Sequence, residues 1–193
     1  MHILDAAERV FARFMPDEVG LRQVAEEGAI SHTLITHYFG TYDAMVEAVL
    51  DRRAGAVREA VLARLRSGAV DPRELGPLPA LVGMARDRLT MRLMIWAVTS
   101  GRARRPGFFA ARVQGLRLVV DAIAAALAAR GARVPARARL EFAVSAALAM
   151  TVGFGVAGDL LQAALGREGE VDVDALGREM SAMIRAYLES DAS

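Results

Sequence analysis

The chain has 193 residues, a formal net charge of +1 at pH 7, and 54% hydrophobic residues. It contains no cysteine, which excludes disulfides, thiolate metal sites and a cysteine nucleophile. This length allows one compact unit, or a small domain attached to a larger one, with enough apolar residues for a buried core.

The first predicted element is an amphipathic helix from about Ile3 to Phe14. Its apolar residues recur at helical spacing, so Phe11 and Phe14 are both expected inside a small N-terminal core. Pro16 follows and ends the helix. The sequence shows no pattern of a signal peptide before this helix, and we expect none. The longest uncharged run, residues 142–158, is shorter than the ~20 apolar residues of a membrane span. We therefore expect a cytoplasmic protein with no membrane partner.

Two short helices joined by a tight turn are predicted between Leu21 and Phe39. Gly28 and Ala29 break the first helix, and the Ser31 hydroxyl is suited to cap the second by accepting from its free N–H groups. The second helix has a polar outer face. This pattern is typical of a helix-turn-helix that enters the DNA major groove, although a helical hairpin with a merely solvated face has the same spacing.

The polar residues of this stretch fall into two groups by their chemistry. Side chains suited to reading base edges are His32, Thr33 and Thr36. Leu34 suits either a thymine methyl or a core position. Side chains better placed to hold phosphates are Arg22, Ser31, His37, Tyr38 and Tyr42.

The N-terminal region is formally acidic, which counts against DNA binding. Residues 1–53 hold five arginines and nine carboxylates, whereas phosphate neutralisation normally supplies much of the affinity for DNA. Two arrangements would reconcile the charge with DNA binding. The carboxylates would face away from the DNA, or a basic arm would precede the first helix.

The rest of the chain also has helical periodicity. A helix is predicted from Tyr42 to about residue 66, followed by helices at about 79–89, 90–101, 108–130, 136–165 and 174–189. The cluster of arginines at 102–105 is expected to lie in a solvated loop. Residues 143–158 are apolar or small on all sides of their helix, and a second subunit is the simplest source of the extra burial. The sequence thus predicts an all-α homodimer.

The first fifty residues resemble the N-terminal domain of the TetR/AcrR family of transcriptional repressors. The resemblance rests on Ile3–Phe11, Leu21–Ala25, Ile30-Ser31, His37–Gly40 and Ala44–Leu50, in order and without large gaps. It implies a helix-turn-helix DNA-binding domain over residues 1–46 and a larger helical ligand-binding and dimerisation domain over residues 47–193. The family usually has Tyr at Thr36 and Lys at Tyr42, so two typical phosphate contacts are missing.

The central helices carry a stretch rich in methionine and aromatic residues. Methionine suits a pocket that adapts its shape, but such a stretch also makes ordinary core. Together with the family resemblance, it implies a site for a small, mostly apolar effector. The candidate ligand-binding residues are Met84, Arg88, Met91, Met94, Trp96, Phe109, Arg112, Val113 and Leu116.

These observations predict a DNA-binding transcriptional regulator, a ligand-responsive repressor that binds a near-palindromic double-stranded operator as a dimer. No catalytic residue set, cofactor motif or metal site is expected. His32 and His37 lie five residues apart, a spacing that does not place two metal ligands on one helical face. The alternative is a helical small-molecule carrier or enzyme that does not bind DNA, which the acidic first domain favours.

Overall fold

A computed structural model describes residues 2–68, 83–102, 110–167 and 172–190, without the side chains of residues 110–114 and Val173. The described residues are predominantly helical and contain no strand, which confirms the predicted all-α class. The helices are α1 (His2–Phe11), α2 (Leu21–Gly28), α3 (His32–Phe39), α4 (Tyr42–Arg66), α5 (Arg88–Thr99), α6 (Ala110–Ala129), α7 (Arg137–Ala164) and α8 (Val173–Glu189).

The chain forms two compact units. The first contains Met1–Gly55 and Arg88–Phe109, and the second contains Ala56–Asp87 and Ala110–Ser193. α4 is continuous in sequence from the first unit into the second. The predicted boundary between a domain of residues 1–46 and one of residues 47–193 falls within α4 and stays a prediction.

The core of the first unit is built on one face of α1. Six of the ten residues of α1 are buried, and they recur at the spacing of an amphipathic helix. Val24 and Ile35 of α2 and α3 pack into the same cluster, as does Trp96 of α5. Trp96, predicted as an effector contact, is fully buried in this core.

The prediction for Phe14 was wrong. Helix α1 ends at Phe11, three residues earlier than expected, and the chain turns before it reaches Phe14. Helical periodicity no longer applies beyond that turn, and the Phe14 side chain is 46% exposed. Phe11, by contrast, is fully buried and makes an edge contact with the Tyr42 ring at 6.2 Å between centroids.

The turn between α2 and α3 depends on two adjacent small residues. A Cβ at Gly28 would lie 3.0 Å from the Ala6 Cβ and 3.2 Å from the Ile30 side chain, so glycine permits close packing of α2 on α1. Ala29 then adopts a left-handed conformation with φ of 50°, which costs an L-residue about 1–2 kcal/mol.

Ion pairs tie α1 to α2 and α4. The Arg9 Nε donates to a Glu27 carboxylate oxygen at 2.7 Å, and Arg13 donates to the other oxygen. These hydrogen bonds lower the pKa of the Glu27 carboxyl. On the other side of α1, Arg52 of α4 donates to Asp5 and Glu8, at 2.7 and 2.8 Å.

The core of the second unit combines the C-terminal half of α4 with α6, α7 and α8. Its fully buried members include Ile123, Leu127 and Leu140.

By length and composition alone, α7 could cross a membrane, with a mean hydropathy of 1.7 and 28% of its most apolar window buried. A single helix of this kind is weak evidence, because core helices of proteins outside membranes have the same composition.

Replacement of Ala29 by glycine should stabilise the first unit. Glycine reaches positive φ without steric cost but loses more backbone entropy on folding, so we expect Ala29→Gly to raise the free energy of unfolding by about 0.5–1 kcal/mol. Urea unfolding followed by the fluorescence of Trp96, the single tryptophan, measures this. Ala54→Gly, at a regular position of α4, is the control and should instead lower the free energy of unfolding by about 1 kcal/mol. Destabilisation by Ala29→Gly would contradict the left-handed assignment.

The Glu27 ion pairs predict a specific dependence of stability on pH. Because the folded pKa of Glu27 is lowered from 4.5, its contribution is fully present above that value and is lost as the pH falls through the folded pKa. The difference in unfolding free energy between the wild type and Glu27→Gln should therefore narrow from about pH 6 to about pH 3. A difference that stays constant over this range would show that the pairs add no stability.

Candidate nucleic-acid interface

Helix α3 is held by its packing and by its cap. Only Ile35 of its eight residues is buried, where it joins Val24 and Ala25 of α2 in the core of the first unit. The Ser31 hydroxyl accepts a hydrogen bond from the Leu34 amide at 3.1 Å, which confirms its predicted role as the N-cap. α2 and α3 therefore form a helix-turn-helix that fixes which face of α3 points outward.

The outer face of α3 is polar. Successive residues of a helix are about 100° apart, so Thr33 and His37 both lie roughly 160° from Ile35 around the axis. His32 and Thr36 lie on one flank, and the Thr36 hydroxyl donates to the His32 carbonyl at 3.1 Å. Leu34 and Tyr38 lie on the other flank, and Tyr38 is 62% exposed. The five polar residues predicted on α3 are all exposed.

The remaining two predicted phosphate contacts have partners within the first unit. Arg22, near the start of α2, donates through Nε to Glu26 at 2.8 Å. The Tyr42 hydroxyl donates to the Pro16 carbonyl at 2.8 Å, and burial raises the pKa of Tyr42. The position where the family usually has Lys thus carries a half-buried tyrosine whose hydroxyl is already hydrogen-bonded. DNA-binding roles for Arg22 and Tyr42 stay predictions.

Many of the acidic side chains in the first unit bind arginines. Glu27 pairs with Arg9 and Arg13, and Glu8 pairs with Arg52 and Arg53. The acidic excess noted in the sequence is thus partly taken up in contacts that hold helices together. The same contacts occupy the arginines, leaving an outer α3 face of neutral hydrogen-bonding groups, aromatic rings and histidines.

The predicted effector residues are not gathered in one place by the described part of the structure. Met91 and Trp96 are buried in the first unit, with Met94 partly buried against the same cluster. Met84 is buried in the second unit, whereas Leu116 and Arg88 are exposed. Phe109 and the side chains of Arg112 and Val113 lie outside the described residues. The effector roles of all nine residues stay predictions.

Sequence analysis missed a cluster around Trp96. Its indole Nε1 donates to Asp17 at 3.0 Å, and the Arg102 guanidinium stacks 4.5 Å above its ring. Arg102 also donates two hydrogen bonds to the Asp43 carboxylate, at 2.8 and 2.9 Å, instead of lying in a solvated loop. Arg104 and Arg105 lie outside the described residues. No local signal marks this cluster, because its hydrogen-bonded partners are up to 79 residues apart.

Two other observations bear on alternative sites. A surface groove of about 400 Å³ is lined by residues of α8, among them Arg178, Arg185 and Glu189, and none of its lining residues was predicted as a ligand contact. Among the described residues, no group of three or more histidine or carboxylate side chains has the arrangement of a metal site.

The N-terminal region matches a known protein family. Residues 3–49 match the family described as "Bacterial regulatory proteins, tetR family", which confirms the resemblance inferred from the motifs. No curated protein sequence matches the chain. The matched segment runs from the start of α1 to the first half of α4 and contains the whole helix-turn-helix.

Solved structures of similar fold extend the likeness to nearly the whole chain. GusR from Salmonella enterica is 18% identical with a TM-score of 0.65, covering 98% of this chain and 94% of that one. A TetR-family transcriptional regulator from Streptomyces coelicolor is 22% identical with a TM-score of 0.60, covering 98% and 96%. The TetR-family repressor AlkX from a Dietzia species is 14% identical with a TM-score of 0.57, covering 98% and 94%. At these identities the likeness shows the fold.

The family match and the fold lead to the same conclusion. A helix-turn-helix that presents a polar face of α3 is followed by a larger helical region, and the family is one of regulators, not of enzymes. Residues 3–49 are thus similar to a family of bacterial transcriptional regulators, and the chain has the fold of solved TetR-family regulators.

Proposed function

We propose that the protein is a ligand-responsive repressor that binds a near-palindromic operator as a homodimer. The observation that carries this proposal is the outer face of α3, where Thr33 and His37 lie opposite the buried Ile35. A short helix held in this way fits the DNA major groove with its outer face toward the base edges. In a dimer, two such helices would enter successive major grooves about 34–36 Å apart.

Different residues of α3 would have different roles in the complex. Thr33 and Thr36 have hydroxyls that donate and accept, and their methyl groups suit a thymine methyl. His32 would read a neighbouring base edge. Ser31, His37 and Tyr38 would contact phosphates, with Arg22 of α2, and Tyr42 would add a further phosphate contact if its bond to Pro16 opened.

The exposed apolar surface of the second unit supports the dimer. Large apolar side chains of α7 are exposed in the single chain, with Phe142 at 59% and Leu160 at 72%, as are Leu165, just after α7, at 69% and Met183 of α8 at 63%. Several exposed large apolar side chains on two helices of one unit are typical of an interface. Two such helices from each of two copies would make a four-helix interface in a cytoplasmic dimer.

Effector control would pass through the segments that join the two units. α4 is continuous from the first unit into the second, and α5 contributes Trp96 to the core below α3. A small, mostly apolar molecule bound among the central helices would displace these segments and change the spacing of the two α3 helices. DNA release follows only if the effector binds the DNA-incompetent state more tightly.

The first test is binding of the purified protein to the DNA that flanks its own gene. We expect saturable binding by a dimer, stronger than to random duplex and weakening steeply between about 50 and 200 mM salt. Equal affinity for both DNAs at low salt would favour the alternative of a small-molecule carrier, unless an effector restores the preference.

Removal of the Thr33 hydroxyl should distinguish a contact with bases from a contact with the DNA backbone. Thr33→Val keeps the shape of the side chain but removes a donor and acceptor, so we expect operator binding to weaken by about 1–3 kcal/mol. Binding to random duplex should change little. Fluorescence anisotropy with both duplexes measures the two affinities. Equal weakening on both would assign Thr33 to backbone contact instead of base reading.

A charge on the exposed face of α7 should prevent dimerisation. Leu160→Glu would bury a carboxylate in the apolar interface, so we expect a monomer in analytical ultracentrifugation and weaker operator binding. Leu118→Glu, at a 52% exposed leucine of α6, is the matched control and should remain a dimer. A dimeric Leu160→Glu variant would place the interface elsewhere.

A further inference from the structure

The ion pair between Arg22 and Glu26 differs from the other arginine pairs of the first unit. Both side chains belong to α2, four residues apart, and both are largely exposed, at 86% and 62%. Arg9 of α1 and Arg13, just after α1, bind Glu27 of α2, and Arg52 of α4 binds Asp5 and Glu8 of α1. Those pairs connect different helices, whereas the Arg22–Glu26 pair lies within one helix and has no such structural role.

Arg22 is also the one arginine within the helix-turn-helix. No arginine or lysine occurs from Gln23 to Asp51, a range that includes all of α3. Arg22 is the second residue of α2, where the unpaired amide groups of the first helical turn favour an anion. It is therefore the fixed positive charge best placed to meet a DNA phosphate close to α3.

Glu26 competes with phosphate for that charge. Its carboxylate accepts from the Arg22 Nε at 2.8 Å, and this hydrogen bond raises the pKa of Arg22. An exposed pair four residues apart on a helix is weak, so a phosphate oxygen can replace the carboxylate. After that exchange the negative charge of Glu26 remains one helical turn away and repels the phosphate.

We propose that Glu26 limits the sequence-independent part of the DNA affinity. It holds Arg22 in the free protein and opposes the phosphate contact in the complex. A larger share of the binding then comes from the base contacts of α3, while the ratio of operator affinity to random-duplex affinity stays the same. This inference rests on DNA binding through the helix-turn-helix.

The test compares the wild type with Glu26→Gln, first on random duplex DNA at low salt, which requires no knowledge of the operator. The glutamine removes the charge and keeps a similar shape. We expect affinity for random duplex and for the operator to rise by a similar factor, about two- to five-fold. The slope of log affinity against log salt should steepen by at most about one counterion.

The control is a pair with the same spacing in the second unit, whose arginine also donates through Nη1 to Asp121 of α6 at 2.7 Å. Arg137 donates through Nε to Glu141, four residues later, at 2.9 Å, and both side chains are about half exposed. Glu141→Gln makes the same change in net charge, so we expect little change in its DNA affinity. An equal gain from both variants, or no gain from Glu26→Gln, would overturn the proposal.

A double-mutant cycle tests whether the effect passes through Arg22. In the Arg22→Gln background, Glu26→Gln should give a clearly smaller gain on random duplex. An undiminished gain would mean that Glu26 acts only through general charge and would refute the proposed pairing. If the wild-type protein bound the operator no better than random duplex, the proposed repressor function would be wrong. The comparison of the variants on random duplex would still test the role of Glu26. Trp96 fluorescence checks that each variant is folded.

Discussion

The burial of Ile35 is the constraint on which the proposed DNA-binding surface depends. An eight-residue helix is too short to be stable alone in water, so α3 exists because packing and the Ser31 cap hold it. With only one buried residue, the orientation of α3 about its axis is set by where Ile35 inserts among the side chains of α1, α2 and α4. Phe39, four residues later, is partly buried against the same core, and the positions of the polar side chains of α3 follow from this packing.

Charge in the first unit serves two purposes that conflict. Arginines that pair with carboxylates hold α1 against α2 and α4, and those same arginines would otherwise be available for phosphate. The unit therefore gains internal order and loses general attraction to DNA. Neutral hydrogen-bonding groups on α3 then carry more of the recognition, and such groups distinguish bases better than point charges do. The acidic charge of the first unit is therefore compatible with the DNA binding that we propose for it.

The sequence predicted the elements well and their long-range partners poorly. The amphipathic pattern of α1, the cap at Ser31 and the helix-turn-helix are local features, and each was found from neighbouring residues. Phe14 was misplaced because periodicity cannot show where a helix stops. Trp96 and Arg102 were assigned to a pocket and a loop, although they contact Asp17 and Asp43, 79 and 59 residues away. Such contacts are tertiary, and a single sequence carries no local sign of them.

The placement of Trp96 also limits how an effector can act in the proposed mechanism. Its segment, Arg88–Phe109, belongs to the first unit but is flanked in sequence by segments of the second. Complete removal of a buried tryptophan from a core costs about 3–5 kcal/mol, whereas reversing an equilibrium from 1:99 to 99:1 needs about 5.5 kcal/mol of differential affinity. An effector that had to extract Trp96 would lose most of that difference to disruption of the core. A small shift that keeps Trp96 buried, with its hydrogen bond to Asp17 and its stacking against Arg102 intact, therefore requires less binding energy from the effector.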